Sequence, residues 1–307
     1  MLLNVIVNPA GASGRAWKLW KRLEPLFSGS EFRLHTSTKE RGIEDICREL
    51  TSTGEETALV VIGGDGTLNE AINGIADLEL TRFGFVPCGT GNDMERDMAL
   101  PKTKEDIVRR LLDGEVKRLS DIGELTYTDE NGGVHKRLFN ISSDIGFGAA
   151  TCAFADRSRL KPLLNRLGLG KLIYLVGAVK VCLTAKPARV KITANGRTRL
   201  YKRCLCAIAM NHCYEGGGFK FCPHADFGDG KLDLCIGNGL AVPEFFHMLP
   251  LAYKGSHLKL RGVYEERADC IEMSSDIPLW VHTDGEVPGK TKKVKMKMIP
   301  KKLRLIV

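Results

Sequence analysis

Apolar and polar residues alternate along the first 120 positions in two different rhythms. Continuous apolar runs predict strands, and these fall at 2–7, 31–36, 58–62 and 83–87. Apolar residues spaced three or four apart predict helices, and these fall at 16–27, 42–51, 68–75 and 104–112. Strands that alternate with helices are typical of βαβ units, whose strands form a parallel sheet. The pattern therefore predicts an α/β domain over residues 1–120.

The pattern of apolar and polar residues changes after residue 120, where predicted strands follow one another without alternating helices. Strands are predicted at 121–127, 134–142, 189–194, 198–210, 232–237, 268–273, 279–283, 294–299 and 302–307. A helical insertion of about 150–184 interrupts them, and its apolar residues accompany several basic ones. We expect a second, mostly antiparallel domain over residues 121–307.

Three polar turns that contain glycine each follow a predicted strand of the first domain. They read NPAGASG at 8–14, GGDGT at 63–67 and GTGND at 89–93. The carboxyl ends of parallel strands lie at one edge of a sheet, so we expect the three turns to lie together there. A glycine turn that leads into a helix presents backbone N–H groups and a positive dipole end, which together suit a phosphate. Each turn taken alone is also compatible with an ordinary tight connection.

Charge and cysteine content narrow the class of protein. The net charge is +8, and residues 151–190 and 290–304 each carry eight basic side chains, with one acid in the first stretch and none in the second. Such faces suit anionic lipid surfaces or nucleic acid, although a solvated basic face is the simpler alternative. No nucleic-acid-binding module is present, so we expect no nucleic-acid partner. Ten cysteines without a CxxC pair or a secretory leader indicate reduced thiols in a cytoplasmic protein.

The ordered motifs resemble those of the diacylglycerol kinase catalytic-domain family, which includes bacterial soluble lipid kinases and sphingosine kinases. The resemblance begins with the three turns and continues with FN at 139–140 and IGFG at 145–148. It includes Asn211, GGG at 216–218, Pro223, Ala225, DGKLDL at 229–234 and DGE at 284–286. The Walker sequence GxxxxGK[ST] and the Rossmann sequence GxGxxG are both absent.

This resemblance implies an α/β N-terminal domain like that of NAD kinases, a β-sandwich C-terminal domain, and ATP in the cleft between them. It implies that Asp65 acts through Mg²⁺ and that Glu286 is the general base. It implies metal-network roles for Asp121 and for a structural Mg²⁺ site at Asp229 with the carbonyls of Leu232 and Leu234. The implied nucleotide-binding residues are Asn8, Pro9, Ala10, Gly11, Thr38, Gly64, Asp65, Gly66, Thr67, Leu68, Asn69, Glu70 and Thr90.

The chemistry of these residue types agrees with the resemblance but is less specific. Phosphoryl transfer needs charge neutralisation and a positioned acceptor, which a backbone nest, a metal-binding carboxylate and a base supply. Glu286 follows a predicted strand and, without the motifs, also fits a solvent-exposed turn acid. Asp229-Gly230 likewise fits a simple hairpin turn. The segment Met94-Glu95-Arg96 departs from the family's usual sequence, and the assignment of Thr38 is uncertain by two residues.

We therefore expect an ATP- and Mg²⁺-dependent lipid kinase that phosphorylates a hydroxyl of a membrane lipid such as diacylglycerol. An NAD kinase and a non-catalytic nucleotide- or lipid-binding protein are the alternatives. The basic surfaces and the 150–184 insertion favour peripheral contact with an anionic inner membrane surface, and a helix packed on the sandwich explains the insertion equally well. The sequence leaves both a monomer and a homodimer open.

Overall fold

The computed structural model describes residues 2–158, 164 and 170–307. The chain divides into two compact units, which are described separately. Unit 1 comprises Met1–Ile122 with Pro300–Val307, and unit 2 comprises Gly123–Ile299.

Unit 1 is built on a parallel sheet in the strand order β2-β1-β3-β4. Its strands are β1 (Leu3–Val7), β2 (Phe32–Thr36), β3 (Thr57–Gly63) and β4 (Thr81–Pro87). Its helices are α1 (Arg15–Leu23), α2 (Ile43–Thr51), α3 (Asp65–Gly74), α4 (Asp93–Asp97) and α5 (Lys104–Leu112). The predicted α/β class and its parallel sheet are confirmed.

Burial explains why these segments form a sheet with helices around it. Every residue of β1 is buried, as is all of β3 after its first residue, which is the pattern of strands covered on both faces. Helix α1 buries only Ala16, Trp20 and Leu23. The Trp20 ring packs against Phe27 and Phe32, with ring centroids 5.4 and 5.8 Å away. The amphipathic helix thus covers the sheet with one stripe of side chains.

The C-terminal residues belong to unit 1, which differs from the predicted boundary of 121–307. Arg304 and Leu305 pair in parallel with Arg82 and Phe83 of β4, and Leu305 is fully buried. The chain thereby covers the edge of β4 and places its last apolar residues in the core of unit 1. Local patterning could predict the strand but not its partner, because pairing across more than 200 residues leaves no trace in local spacing.

Unit 2 contains a mostly antiparallel sheet in the order β11-β10-β9-β7-β12-β13. In addition, β8 pairs with β9 and β12, and β5 pairs with β6 and β13. Strand β5 begins in unit 1 and β13 ends there. The strands are β5 (Arg118–Thr128), β6 (Val134–Phe139), β7 (Ser142–Gly146), β8 (Ala188–Ala194), β9 (Arg197–Met210), β10 (Leu232–Asn238), β11 (Val263–Ala268), β12 (Cys270–Thr283) and β13 (Glu286–Leu305). The antiparallel prediction for this region is confirmed.

Several predicted strands join or divide. The two predicted strands at 268–273 and 279–283 form the single strand β12, with an irregular register between Ser274 and Leu279. The predicted strand at 134–142 is two strands, β6 and β7. A β-bulge interrupts side-chain alternation without ending the hydrogen-bonded ladder, so patterning misplaces strand ends there.

Among its described residues, unit 2 contains the helices α6 (Phe147–Arg157), α7 (Lys171–Thr184) and α8 (Val242–Lys254). Helix α8 is not predicted by the sequence pattern and contains Pro250 in its interior. Its ends are well specified: the Glu244 carboxylate accepts the Ala241 N–H at 2.7 Å, and Gly255 closes the helix in the left-handed region.

Helices α6 and α7 lie within the predicted 150–184 insertion. Residues 159–163 and 165–169 of that insertion, with Leu163, Leu167 and Leu169, lie outside the described residues. Among the helices that the structure describes, none combines the length and the apolar character needed to cross a membrane. All ten cysteines are free thiols.

The placement of the C-terminal strand generates a stability prediction. We expect Leu305→Ala to lower the free energy of unfolding by about 2–5 kcal/mol, because it removes a fully buried side chain from unit 1. Lys302→Ala is the matched control, since Lys302 forms only a partly exposed ion pair with Glu79 and should cost no more than about 1 kcal/mol. Urea unfolding measures both values. Equal, small losses in the two variants would contradict the assignment of this strand to the core.

Candidate functional site

The loop after β1 folds back on itself through Asn8. The Asn8 side-chain oxygen accepts the Ala10 N–H at 3.0 Å, and the Asn8 carbonyl accepts the Gly11 N–H at 2.9 Å. A Cβ at Gly11 would lie 3.2 Å from the Asn8 Cβ, so the turn has little room for a side chain there. This turn presents the predicted residues at 8–11 as one compact segment.

A cavity of about 360 Å³ lies in unit 1 beside this loop. Its walls come from the ends of β1 and β2 and from helices α2 and α3. They include five of the predicted nucleotide-binding residues, namely Asn8, Pro9, Ala10, Thr38 and Glu70. The Thr38 hydroxyl accepts the N–H groups of Glu40 and Arg41 at 3.3 and 3.2 Å, which fixes the loop after β2. The structure therefore brings together residues that are far apart in the sequence.

The turns after β3 and β4 approach each other backbone to backbone. A Cβ on Gly64 would lie 3.0 Å from the Gly89 Cα, and a Cβ on Gly89 would lie 2.8 Å from the Gly64 Cα. Real Cβ atoms do not come that close to a neighbouring Cα without displacement. Glycine is therefore required on both turns for steric reasons, and the contact joins two of the three predicted turns.

Helix α3 begins at Asp65, three residues earlier than the predicted start at 68. The Asp65 carboxylate accepts the Asn92 N–H at 2.9 Å, so it links the turn after β3 to the turn after β4. An acidic side chain in the first turn of a helix is favoured by the helix dipole. Within the helix, Thr67, Leu68 and Asn69 are buried, and Glu70 lines the cavity.

Arg15 was not among the predicted site residues, although it joins the first turn to the third. Its guanidinium donates to the Ala12 carbonyl at 2.9 Å and to the Thr90 hydroxyl at 3.1 Å. Ala12, Ser13 and Gly14 all have positive φ, so the backbone winds left-handed just before α1. A cation at the first position of a helix is opposed by the helix dipole. That mismatch, directly after a glycine turn, is the signal that points to Arg15.

Asp121 is fully buried in unit 1, and its carboxylate accepts the Lys301 N–H at 2.7 Å. Lys301 has a φ of 54°, which places it in the left-handed region, so Asp121 holds the C-terminal segment at an unusual backbone position. Its role in a metal network stays a prediction.

In unit 2, Glu286 is exposed at the first position of β13, directly after a tight turn. Thr283 pairs with Glu286, and the two residues between them, Asp284 and Gly285, have φ values of 50° and 88°. Positive φ at both central residues is typical of the type I′ hairpin turn, for which Asp-Gly is a favoured sequence. The predicted base therefore lies at a fixed position on the end of a hairpin.

Asp229, the predicted carboxylate ligand of the structural Mg²⁺ site, has an arginine as its partner in the structure. Asp229 forms an ion pair with Arg267 and accepts the Lys231 N–H at 2.9 Å. Leu232 and Leu234 lie on β10, which is paired on both sides with β9 and β11. The guanidinium already places a positive charge at the Asp229 carboxylate. The role of Asp229, Leu232 and Leu234 in a structural Mg²⁺ site stays a prediction.

Comparisons with protein-family models agree with this two-part architecture. Residues 3–124 match the model described as "Diacylglycerol kinase catalytic domain". Residues 143–307 match the model described as "YegS C-terminal NAD kinase beta sandwich-like domain". The second match alone covers more than half of the chain.

Individual proteins extend this likeness over almost the whole chain. The "Putative lipid kinase YtlR" of Bacillus subtilis is 27% identical over 292 residues, which cover 93% of each chain. The "Diacylglycerol kinase" of B. subtilis is 28% identical over 268 residues, covering 85% of this chain and 81% of the relative. A crystal structure described as "a putative diacylglycerol kinase from Bacillus anthracis str. Sterne" has a TM-score of 0.76 at 21% identity and covers 99% of this chain and 96% of its own. The last comparison shows the same fold.

The contact between the two glycine turns yields a second prediction. We expect Gly89→Ala to lower the free energy of unfolding by about 1–3 kcal/mol and to weaken ATP binding, because the added methyl group separates the turns after β3 and β4. Gly29→Ala is the matched control, since Gly29 is exposed and has no atom within 4 Å of an added Cβ. Urea unfolding and equilibrium dialysis against ATP measure the two effects. Unchanged ATP affinity in Gly89→Ala would separate this contact from nucleotide binding.

Proposed function

Because this chain belongs to the diacylglycerol kinase catalytic-domain family and is a phosphotransferase with an alcohol group as acceptor, we propose that it phosphorylates a membrane lipid. The phosphate donor is ATP, and the acceptor is a free hydroxyl such as that of diacylglycerol. Relatives that bear the name diacylglycerol kinase support this choice of acceptor. The single observation that carries the nucleotide part is the cavity lined by Asn8, Thr38 and Glu70.

Backbone groups do much of the proposed nucleotide binding. The start of α3 directs N–H groups and the positive end of the helix dipole outward from Gly64 and Asp65, which favours phosphate oxygens. Arg15 adds a permanent positive charge beside Thr90. These groups would bind the phosphates of ATP, together with Gly66 in the first turn of α3 and Thr90 on the turn after β4.

Mg²⁺ is the proposed metal because it binds hard oxygen ligands and neutralises phosphate charge when it is bound. Asp65 is the residue that would hold it, since its carboxylate stands at the beginning of α3 on a turn fixed by Asn92.

Glu286 is the proposed general base. Its carboxylate takes the proton of the lipid hydroxyl while the hydroxyl oxygen forms a bond to the γ-phosphorus of ATP. The bond from that phosphorus to the β–γ bridging oxygen breaks, and ADP leaves with the electron pair. Because Glu286 is exposed, ionisation of its carboxylate carries no burial cost, and the hairpin pairing sets its backbone position, which suits a base.

This role predicts a specific loss of turnover. Glu286→Gln should keep ATP binding and stability and lose about 10²- to 10⁴-fold in kcat, because the amide cannot accept the proton. Glu272→Gln is the control, since Glu272 is an exposed acid on the same sheet and forms an ion pair with Lys295. Transfer of radiolabelled γ-phosphate to a bacterial lipid extract in mixed micelles, with NAD as a parallel acceptor, measures both variants.

Each result of that assay has a distinct meaning. Full activity of Glu286→Gln would remove the proposed base. Labelling of NAD without any lipid product would identify an NAD kinase. Transfer to neither acceptor would favour a non-catalytic nucleotide- or lipid-binding protein.

Peripheral contact with an anionic membrane is the second part of the proposal. Helix α7 buries Ile173 and Val181 but exposes Leu175, Val176 and Leu183, which are 56%, 53% and 65% accessible. Exposed apolar side chains clustered on one helix face are uncommon on isolated protein surfaces. The same helix carries Lys180, and Lys186 and Arg189 follow it, so an apolar face lies beside basic charge. That combination favours insertion at the surface of an anionic bilayer.

Leu175→Glu combined with Leu183→Glu should lower partition onto anionic vesicles about tenfold or more, because two exposed apolar side chains lose their favourable burial in lipid. Val134→Glu is the control, since Val134 is 67% accessible on a different hairpin. Sedimentation with vesicles containing phosphatidylglycerol, with and without 0.5 M salt, measures the partition. Unchanged sedimentation of the α7 variant would show that this helix does not contact the membrane.

A further inference from the structure

The turn that carries Glu286 is fixed from two sides, and the first is the side chain of Asp284. Its carboxylate accepts the backbone N–H groups of Asn140, Ile141 and Ser142 at 2.9, 2.8 and 3.0 Å. The Asp284 N–H in turn donates to the Ser142 carbonyl at 2.9 Å. Three backbone donors hold the Asp284 carboxylate, which makes it a structural residue of the turn.

The second side is His282, the residue that precedes the turn by two positions. The Gly285 N–H donates to His282 Nδ1 at 3.2 Å. A ring nitrogen that accepts an N–H cannot carry a proton itself, so the proton of the neutral imidazole lies on Nε2. The tautomer of His282 thus follows from a backbone bond inside the Glu286 turn.

Two carboxylates meet the Nε2 proton of His282. Asp144 Oδ1 and Glu215 Oε1 are each 3.1 Å from Nε2. Asp144 is fixed because it lies directly opposite His282 in the β7–β12 pairing and accepts the Ala149 N–H at 2.8 Å. His282 and Asp144 are almost completely buried.

Glu215 reaches this position through a closed loop. Glu215 and Phe219 exchange both backbone hydrogen bonds at 2.9 Å, and the intervening glycines 216–218 all have positive φ. The Ser142 hydroxyl donates to Glu215 Oε1 at 2.7 Å. Each partner of His282 is thus held by backbone or side-chain donors from a different element of unit 2.

Charge and burial indicate that the cluster retains a proton. Burial raises the pKa of Asp144 to about 6. Against the effect of burial, the Asp144 and Glu215 carboxylates raise the pKa of His282, whereas the Gly285 N–H directed at Nδ1 stabilises the ring without a proton on that nitrogen. The cluster therefore keeps its proton on the Nε2 side, between the imidazole and the two carboxylates. With the proton on Nε2, the nitrogen that faces both carboxylates is a donor and has no lone pair for a metal. The cluster is therefore a hydrogen-bonded support for the imidazole.

We propose that His282, oriented by Asp144 and Glu215, is a positioning residue that fixes the Asp284-Gly285 turn and thereby aims the Glu286 carboxylate. This inference rests on the proposed function, in which Glu286 is the base. Without the Nδ1 acceptor, the Gly285 N–H loses its partner and the turn is anchored on one side alone. A displacement of about 1 Å at a reacting group can cost about 100-fold in rate.

The test uses His282→Gln in the full-length protein. The glutamine amide can reproduce the Nε2 donor toward Asp144 and Glu215 but has no acceptor at the position of Nδ1. We expect kcat to fall about 10- to 100-fold with the KM for ATP and lipid unchanged. His257→Gln is the matched control, because His257 is also fully buried in unit 2 and bonds Phe221 and Cys235 instead. Its kcat should equal that of the wild-type protein.

A double-mutant cycle with Glu286→Gln separates positioning from a general structural role. If His282 acts through Glu286, His282→Gln causes no further loss of kcat in the Glu286→Gln background. An additive loss, or a wild-type kcat in His282→Gln while Glu286→Gln is impaired, would overturn the inference. Wild-type activity in Glu286→Gln would instead overturn the proposed base, so the two failures are distinguishable.

A measurement on the wild-type protein does not depend on the folding of any variant. In uniformly ¹⁵N-labelled protein, His282 should show a protonated Nε2 and an unprotonated Nδ1, and the Gly285 amide should exchange slowly with solvent. A protonated Nδ1 near neutral pH, or a rapidly exchanging Gly285 amide, would contradict the inference.

Discussion

In a parallel sheet all strands run in the same direction, so their carboxyl ends lie at the same edge of the sheet. Each connection to the next strand must then return across a face of the sheet. Strands β1, β3 and β4 of unit 1 pair in this way, and their following turns therefore lie side by side. The contact between Gly64 and Gly89 depends on this pairing, as does the bond from Asn92 to Asp65. The same edge holds the cavity lined by the loops after β1 and β2. A site built from distant parts of the sequence is the direct consequence of strand direction.

Antiparallel pairing imposes a different constraint in unit 2. The register of β7 with β12 places Asp144 opposite His282 in the interior, where unpaired charge is costly. Donors to both carboxylates offset part of that cost: the Ala149 N–H donates to Asp144, and the Ser142 hydroxyl donates to Glu215, which also faces His282. Because its members hydrogen-bond to one another, the loss of one member leaves the others without a partner. The cluster lies beside the hairpin that carries Glu286, which links the stability of this unit to the proposed chemistry.

The two units share one device, which is to fix functional turns through backbone N–H groups. Asp65 accepts the Asn92 N–H, and Asp284 accepts three N–H groups from residues 140–142. In both cases the aspartate of a motif fixes the backbone of a turn by accepting N–H groups. Asp229 differs, because it also lies in a turn but forms an ion pair with the Arg267 guanidinium. The role of each aspartate therefore depends on its hydrogen-bond or ion-pair partners, which the motif does not specify.

Periodicity by itself determined the α/β and antiparallel halves, most strand positions and the three glycine turns, because side-chain spacing records which faces are buried. Motif order also determined the family. Helix α8 was not predicted because Pro250 interrupts the expected helical pattern. Its caps, by contrast, are formed by residues close in sequence. Arg15, the pairing of Leu305 with β4, and the Asp144–His282–Glu215 cluster were decided only by the tertiary structure. Each depends on residues tens to hundreds of positions apart, and local spacing carries no information about which distant strand or loop supplies the partner.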